Sequence, residues 1–260
     1  MRTYRDLFPE ELKEKLPRAF DVVGDICIIK MPEALLPIKK DVGMAILKAY
    51  RHIKVVCLDR GVKGEQRIRD LEWITGEKRT ETEHRENGCR YRIDLSAVYF
   101  SPRLAGERAR VSSLVNGNEV VLDMFCGAGP FAIPAAKMAR EVFAVDINER
   151  AVDFLKENMR LNRIMNIVPL CGDARDSFAG MRFDRVIMNL PHSSMSFLNV
   201  GLERCKEKAT IHLYWMCEDP EAVEEEIARR AGRPVDIETI QLHGYSSKEN
   251  LFCFDISVEG

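Results

Sequence analysis

The sequence predicts an α/β fold: an open, mostly parallel sheet with helices on both faces over residues 101–260, preceded by a small α+β domain over 20–100 and a helical segment over 1–19. Three observations predict it. From residue 119 apolar strand-like runs alternate with helix-like runs, at strands 119–125, 142–146, 167–171, 183–189 and 209–216 and helices 130–140, 148–161, 194–206 and 220–231. Such alternation with short connections implies parallel βα units. The first of these strands breaks at Cys126-Gly127-Ala128-Gly129 before the helix-like run that opens at Pro130, a residue favoured at a first helical position. Two late strand-like runs, 235–242 and 250–258, flank a Gly-Tyr-Ser-Ser break and suggest a closing hairpin.

The smaller domain follows from local patterns. LFPEELKEKLP within 1–19 has helical spacing cut by prolines. Phe20–Lys30 reads as two strands around Gly24. Ala34–His52 reads as an amphipathic helix carrying Leu36, Ile38, Val42, Ile46 and Tyr50 on one side. Lys54–Leu58 is a strand, followed by a polar stretch that includes strand-like RIRDLEWI and turns at Asn87-Gly88. Cys89–Asp94 alternates like a half-buried strand. Val98–Val115 reads as a strand end, a Ser-Pro turn and a helix.

Composition narrows the function. With 46% hydrophobic residues in 260, the chain suits one large domain or one with a smaller companion. No stretch reaches the roughly 18 apolar residues of a membrane span, and the charged N-terminus lacks a signal peptide's apolar core. The eight cysteines show no C-x-x-C spacing and read as reduced thiols of a cytoplasmic protein. The histidines make no ligand spacing, so no metal is expected. Charge is uneven: 17 Lys and Arg stand against 11 Asp and Glu over 38–110, and 16 against 23 over 111–260. A basic middle beside an acidic half suits contact with a polyanion, or simply a solvated surface.

Gly127-Ala128-Gly129-Pro130-Phe131-Ala132 fits G-x-G-x-x-[GA], and Asp146 ends the next strand where a ribose-binding acid belongs. The pair fits NAD and S-adenosylmethionine alike; a tight turn that merely packs helix on strand is the plainer alternative. Asp173 follows the third strand, and Asn189-Leu190-Pro191-His192 follows the fourth. Ligands of open α/β sheets sit at these carboxyl ends. NLPH resembles the N-P-P-[YF] motif of methyltransferases that act on amino or ring nitrogens, with Leu190 and His192 as departures. Alone, Asn189 reads as a helix cap. Glu107 lies four residues after Arg103, so the two could pair on a helix surface, or Glu107 could face a ligand as a base. Arg67 and Arg69 share one strand face, free to be solvated or to hold a phosphate or carbonyl.

FDVVGDI, NGCRYRID, YFSPRLAGERARV, VVLDMFCGAGPFAIPAA, AVDINERAVDFLKENMRLN, GDAR and DRVIMNLP occur in that order over about 20–195. Together they resemble the tRNA (guanine(37)-N(1))-methyltransferase family of archaeal and eukaryotic type. The resemblance implies a Rossmann-like, S-adenosylmethionine-dependent methyltransferase domain acting on N1 of the guanine beside the anticodon. It implies that Ser101 and Arg108 flank the cofactor's methionine end, that Asp146 binds its ribose, and that Asp173 and Ala174 hold its adenine. Phe125, Gly127, Gly129, Ile147 and Pro191 complete the cofactor contacts it implies, and Asn189 lies between cofactor and guanine. It assigns Glu107 as general base and Arg67 as partner of the guanine O6, with Arg69 two residues away. The implied partner is the tRNA anticodon stem-loop with its guanine flipped out, and no oligomer is implied. Many members carry a further N-terminal tRNA-binding domain, which this sequence is expected not to include. A relative, the wybutosine-pathway aminocarboxypropyltransferase, keeps SP and ER but neither NLP nor GPF, so the resemblance favours methyl transfer. The other readings are an NAD-dependent oxidoreductase on the same turn, or a non-catalytic RNA-binding module.

Overall fold

Residues 3–63, 68–244 and 250–259 are described by a computed structural model of the chain. Met1–Arg103 and Leu104–Gly260 form two units, each with its own core. In the first, α1 (Glu10–Lys13) follows a short 3-10 turn at Tyr4–Leu7. Strands β1 (Asp21–Val23), β2 (Ile26–Ile29), β3 (Val55–Lys63) and β4 (Ile68–Gly76) form a sheet in that order, parallel between β2 and β3 and antiparallel elsewhere. The crossover from β2 to β3 carries α2 (Lys39–Ala49), whose Val42, Ala45 and Ile46 recur at helical spacing and join the core with Cys27, Ile29, Val56 and Leu58.

The helix expected over Ala34–His52 divides in the structure: Glu33–Ile38 is 3-10 and only Lys39–Ala49 is α-helical. Pro37 is the reason, since its ring removes a donor and clashes with the preceding turn. A second correction is β5 (Glu81–Glu86), which pairs with β6 (Cys89–Asp94) as a hairpin from within the polar stretch. Its EHRE sequence has no apolar alternation, so only its partner was visible. Asn87 (φ 47°) and Gly88 (φ 68°) supply the two positive φ angles that a tight hairpin turn needs. Residues 98–100 are not a strand.

The second unit opens with α3 (Ala105–Leu114) after a 3-10 turn at Pro102–Leu104. Then follow β7 (Val120–Asp123), α4 (Ala132–Ala136), β8 (Glu141–Asp146), α5 (Glu149–Asn162), β9 (Ile167–Cys171), β10 (Phe183–Met188), α6 (Ser194–Glu203), β11 (Cys205–Cys217), α7 (Pro220–Ala231), β12 (Val235–Gly244) and β13 (Asn250–Val258). The sheet order is β12-β13-β11-β10-β7-β8-β9, parallel from β11 to β9, with β13 antiparallel to both neighbours. Chain order reverses between β7 and β10, which makes their carboxyl ends the topological switch point.

The helix expected over 130–140 is only α4, and Pro130 lies in the turn before it rather than at its first position. Pro134 sits in the first turn, where its missing N–H costs nothing. Helix α6 ends three residues short of expectation, and β11 begins at Cys205. The antiparallel pairing of β12 with β13 and the boundaries of β9, α7 and β13 match the reading of the sequence, while Tyr245-Ser246-Ser247 of the expected break lie outside the described residues. No helix among the described residues is long and apolar enough to cross a membrane.

Candidate active site

The carboxyl ends of β10, β7, β8 and β9 lie side by side. Register places Asp123 beside Ile187, and the Met124 N–H donates to the Ile187 carbonyl at 3.0 Å. On the other side the Cys126 N–H donates to the Val145 carbonyl at 3.0 Å. This stitching brings the turn Phe125–Gly129 between Asn189 and Asp146–Ile147, with Cys171–Ala174 beyond.

Gly129 has φ +90°, and a Cβ there would lie 2.5 Å from Leu155 Cδ1, so the turn closes onto α5 only with glycine. Gly127, at φ +52°, is different: a Cβ would meet nothing nearer than Pro130 Cδ at 4.0 Å. Its outer side is open. Fully buried Asn158 holds the turn from beneath, donating Nδ2 to the Ala128 carbonyl at 3.0 Å. Sequence reading missed Asn158 because its spacing on α5 looks like any helix position. Asp146 accepts from the Gly127 N–H at 2.8 Å and from the Asn148 N–H at 2.9 Å. Burial raises its carboxyl above the ordinary range, opposed by those two donors. Ile147 beside it is 64% exposed. Asp173 caps its own loop, accepting from the Arg175 N–H at 2.9 Å, and Ala174 is buried. Phe125 packs edge-on against Phe197 at 5.0 Å, with the Arg175 guanidinium over Phe197.

Buried Ser194 fixes the Asn189–His192 turn. Its hydroxyl donates to the Met188 carbonyl and accepts from the Leu190 N–H, while the Pro191 carbonyl accepts from Met216. Asn189 Oδ1 is buried in this turn with no hydrogen-bond partner. A buried acceptor left unmade costs about 1–3 kcal/mol, so Oδ1 is available to an incoming donor. Asp123 Oδ2 is likewise buried without a partner.

Helix α3 brings Glu107 and Arg108 inward, both buried. The surface pair of Glu107 with Arg103 is not the arrangement found: Arg103 pairs with Asp21, and Glu107 takes Arg110. Arg110 donates Nε to Glu107 Oε2 at 2.8 Å and Nη2 to Oε1 at 2.7 Å; the Tyr214 hydroxyl donates to Oε1 at 2.7 Å. Burial alone would raise the Glu107 carboxyl, but Arg110 and Tyr214 outweigh it and hold it below the usual range. Tyr214 in turn lies against Phe131, the residue that leads into α4, with ring centroids 5.4 Å apart.

Beyond Arg110 a buried polar chain continues. Arg110 Nη1 donates to Asp255 Oδ2 at 2.6 Å, His212 Nδ1 lies 2.6 Å from Asp255 Oδ1, and Arg185 Nη1 lies 2.6 Å from His212 Nε2. Arginine has no acceptor, so His212 Nε2 must accept and the ring proton belongs on Nδ1, donating to Asp255. Arg185 ends the chain on Glu119 at 2.7 Å and on the Leu114 carbonyl at 2.9 Å, the C-terminus of α3. His212, Cys253 and Asp255 are metal-ligand types within 4.8 Å of one another, but Arg110 and Arg185 already occupy their acceptor atoms.

Ser101 is buried in the first unit, and Arg67 lies outside the described residues. Arg69 is committed within the first unit, to Asp21 at 3.1 Å and Asp59 at 3.4 Å.

Residues 82–240 match the TRM5/TYW2 methyltransferase domain, and residues 4–80 match the TYW2 N-terminal domain. The tRNA (guanine(37)-N(1))-methyltransferase Trm5b of Pyrococcus abyssi is 45% identical over 82% of this chain and 64% of its own length. The Trm5b of Methanocaldococcus jannaschii is 38% identical over 84% of this chain and 66% of its own. The chain thus spans just under two thirds of these curated relatives. A solved complex of aTrm5 with tRNALeu superposes with a TM-score of 0.92 at 34% identity, covering 99% of this chain and 78% of that one.

Proposed function

The chain belongs to the TRM5/TYW2 methyltransferase family, and from that premise we propose that it transfers a methyl group from S-adenosylmethionine to N1 of guanine 37 in tRNA. The observation that carries this reading is Asn189, whose buried Oδ1 has no partner at the strand end beside the glycine turn. The amino edge of a guanine supplies the missing donor. The names of the relatives, guanine-37 methyltransferases and a tRNA complex, support the substrate.

The residues present fit the cofactor. Open space outside Gly127 leaves room for it. Each Asp146 oxygen that accepts a backbone N–H keeps a second lone pair for a ribose hydroxyl. Exposed Ile147 offers an apolar wall to adenine beside Asp173 and Ala174. The family resemblance assigns Phe125, Gly129 and Pro191 to cofactor contacts and Ser101 and Arg108 to its methionine end. When bound, the sulfonium supplies an electrophilic methyl carbon and a good leaving group.

Guanine N1 carries a proton at neutral pH, and that proton must leave as the new bond forms. Glu107, ionised and held by Arg110 and Tyr214, accepts it. General-base help of this kind contributes about 10²–10⁴-fold. Negative charge shifts to O6, where a cation stabilises it, the role the resemblance gives Arg67. The guanine is flipped from the anticodon loop to reach the site. All eight cysteines are free, which suits a cytoplasmic enzyme.

Incubation of a tRNA transcript with labelled cofactor, followed by nucleoside mass analysis, tests this: 1-methylguanosine at position 37 is expected, and an unmodified transcript overturns it. The match of residues 4–80 to the TYW2 N-terminal domain favours a second reading, aminocarboxypropyl transfer at the same tRNA position. A product heavier by a 3-amino-3-carboxypropyl group instead of a methyl would establish that one.

A further inference from the structure

The buried chain behind Glu107 has no part in binding the cofactor or the guanine in the reading above. Yet it ends on the proposed base. We propose that Arg110 is a positioning residue for Glu107: its guanidinium spans Glu107 and Asp255, and so fixes the carboxylate both in place and in its ionised state. The inference rests on the reading of Glu107 as base and deepens it.

Geometry carries the argument. The fork of Arg110 meets both Glu107 oxygens, at 2.8 and 2.7 Å, while its other edge meets both Asp255 oxygens, at 2.6 and 3.2 Å. A guanidinium gripped on two sides cannot swing, so neither can the carboxylate it holds. Asp255 is itself pinned. His212 Nδ1–H and the Cys253 thiol, at 3.1 Å, both donate to its Oδ1. Arg185, anchored on Glu119, sets the His212 ring. Each member therefore limits the freedom of the next.

The groups facing Glu107 come from three elements. Arg110 lies on its own helix, Tyr214 on β11 and Cys253 on β13, with Asp255 of β13 on the far side of the Arg110 guanidinium. Only Arg110 among these brings positive charge. Without it the carboxylate would be buried beside Asp255, a like charge, and beside a thiol and a phenol that burial keeps neutral. Such a carboxyl binds a proton more readily. It would be a stronger base on paper, but protonated and misplaced when the substrate arrives.

Two measurements on the full chain test this. The first is the Glu107 titration midpoint from carbon-13 carboxyl NMR of glutamate-labelled protein, in the wild type and in Arg110→Gln, Arg110→Lys and Asp255→Asn. Arg110→Gln should move the midpoint up by about 1–3 pH units. Arg110→Lys, which keeps a cation and tests the case where the glutamine variant fails to fold, should show a smaller rise. Asp255→Asn, which leaves the Arg110–Glu107 pair but frees the far side of the fork, should leave the midpoint near the wild type. An unchanged midpoint in Arg110→Gln and Arg110→Lys overturns the inference whatever the activity. The second measurement is single-turnover methyl transfer against pH on a guanine-37 transcript. Its acid limb should follow the midpoint upward in Arg110→Gln, with the plateau lower by up to about 10²-fold from misplacement. Asp255→Asn should lower the plateau alone, and a plateau equal to wild type in both variants overturns the positioning role. If the wild type transfers no methyl while the midpoint still moves, the reading of Glu107 as base fails and the hold of Arg110 on its carboxylate stands.

Discussion

The two faces of the seven-stranded sheet are made of alternate residues of the same strands, yet a buried polar row runs across only one of them, among the apolar Val121, Val142, Ala144 and Ile187 of that face. One face carries Val120, Leu122, Val186, Met188, Ile211, Leu213, Phe252, Phe254 and Ile256 in a continuous apolar core. The other carries Asp123, Arg185, His212, Tyr214, Cys253 and Asp255, with Asp123, Ile187, His212 and Asp255 as successive cross-strand partners. Apolar burial stabilises at roughly 25 cal/mol per Å². Buried ion pairs do not stabilise in the same way: apolar replacements are often as stable or more so. The polar row is therefore poorly explained by stability, and the proposed role of Glu107, to which it leads, is what gives it a reason.

If the faces divide labour in this way, substitutions on them should fail differently. The largest effect is expected at the functional end of the polar face. Glu107→Ala should lose about 10²–10⁴-fold in methyl transfer while calorimetry still shows S-adenosylhomocysteine binding; near wild-type turnover would break the comparison at its centre. On the apolar face, Phe254→Ala should cost about 3–5 kcal/mol of unfolding free energy in urea, with no change in the pH dependence of whatever activity remains. A pH shift there would mean that the two faces are not separate.

The comparison sharpens within the polar face itself. Asp123 and Asp255 belong to one row of partners but titrate in opposite directions. Burial, helped by the nearby Asp146 charge and only partly opposed by the backbone N–H groups of Phe125 and Ala132, pushes Asp123 up to about 7. Burial also acts on Asp255, but His212 and Arg110 outweigh it and hold it well below the usual carboxylate range. The signs follow. Asp123, raised above its unfolded value near 3.8, favours folding at low pH and loses that contribution as pH climbs toward 7. Asp255, depressed, contributes above the ordinary carboxylate range and loses it as pH falls. Asp123→Asn should therefore remove a decline in urea stability between about pH 4 and 7, on the order of 3 kcal/mol. An identical pH–stability curve in this variant would show that Asp123 does not titrate there. The smallest effect is expected at Gly127→Ala. A left-handed alanine costs about 1–2 kcal/mol, and the added methyl should weaken S-adenosylhomocysteine about tenfold, about 1.4 kcal/mol. Unchanged affinity would place the ligand elsewhere than outside the turn.

Much of this was readable in the residues. The glycine turn, the acid that ends β8 and the polar turn after β10 are each short local patterns at the end of a strand, so spacing and turn chemistry expose them. The helix at 130–140 misled because PFAIPAA has helical composition while the turn that makes the site consumes its start. Strand β5 was invisible because a hairpin partner needs no apolar alternation when its turn fixes the register. The i,i+4 spacing of Arg103 and Glu107 leaves open whether Glu107 is a surface partner or faces inward, because it is indifferent to what lies opposite the helix.

What the sequence alone determined is the set of βα units, their order, and the glycine, aspartate and asparagine positions at their ends, because these depend on periodicity and on turns that a few neighbouring residues dictate. Only the tertiary structure decided the company of Glu107. Tyr214 is 107 residues away in the chain and Arg110 meets an aspartate 145 residues away. Those meetings depend on the antiparallel register of β13 against β11. A slip of one residue there would turn Cys253 and Asp255 to the apolar face and bring Phe252 and Phe254 to the polar one.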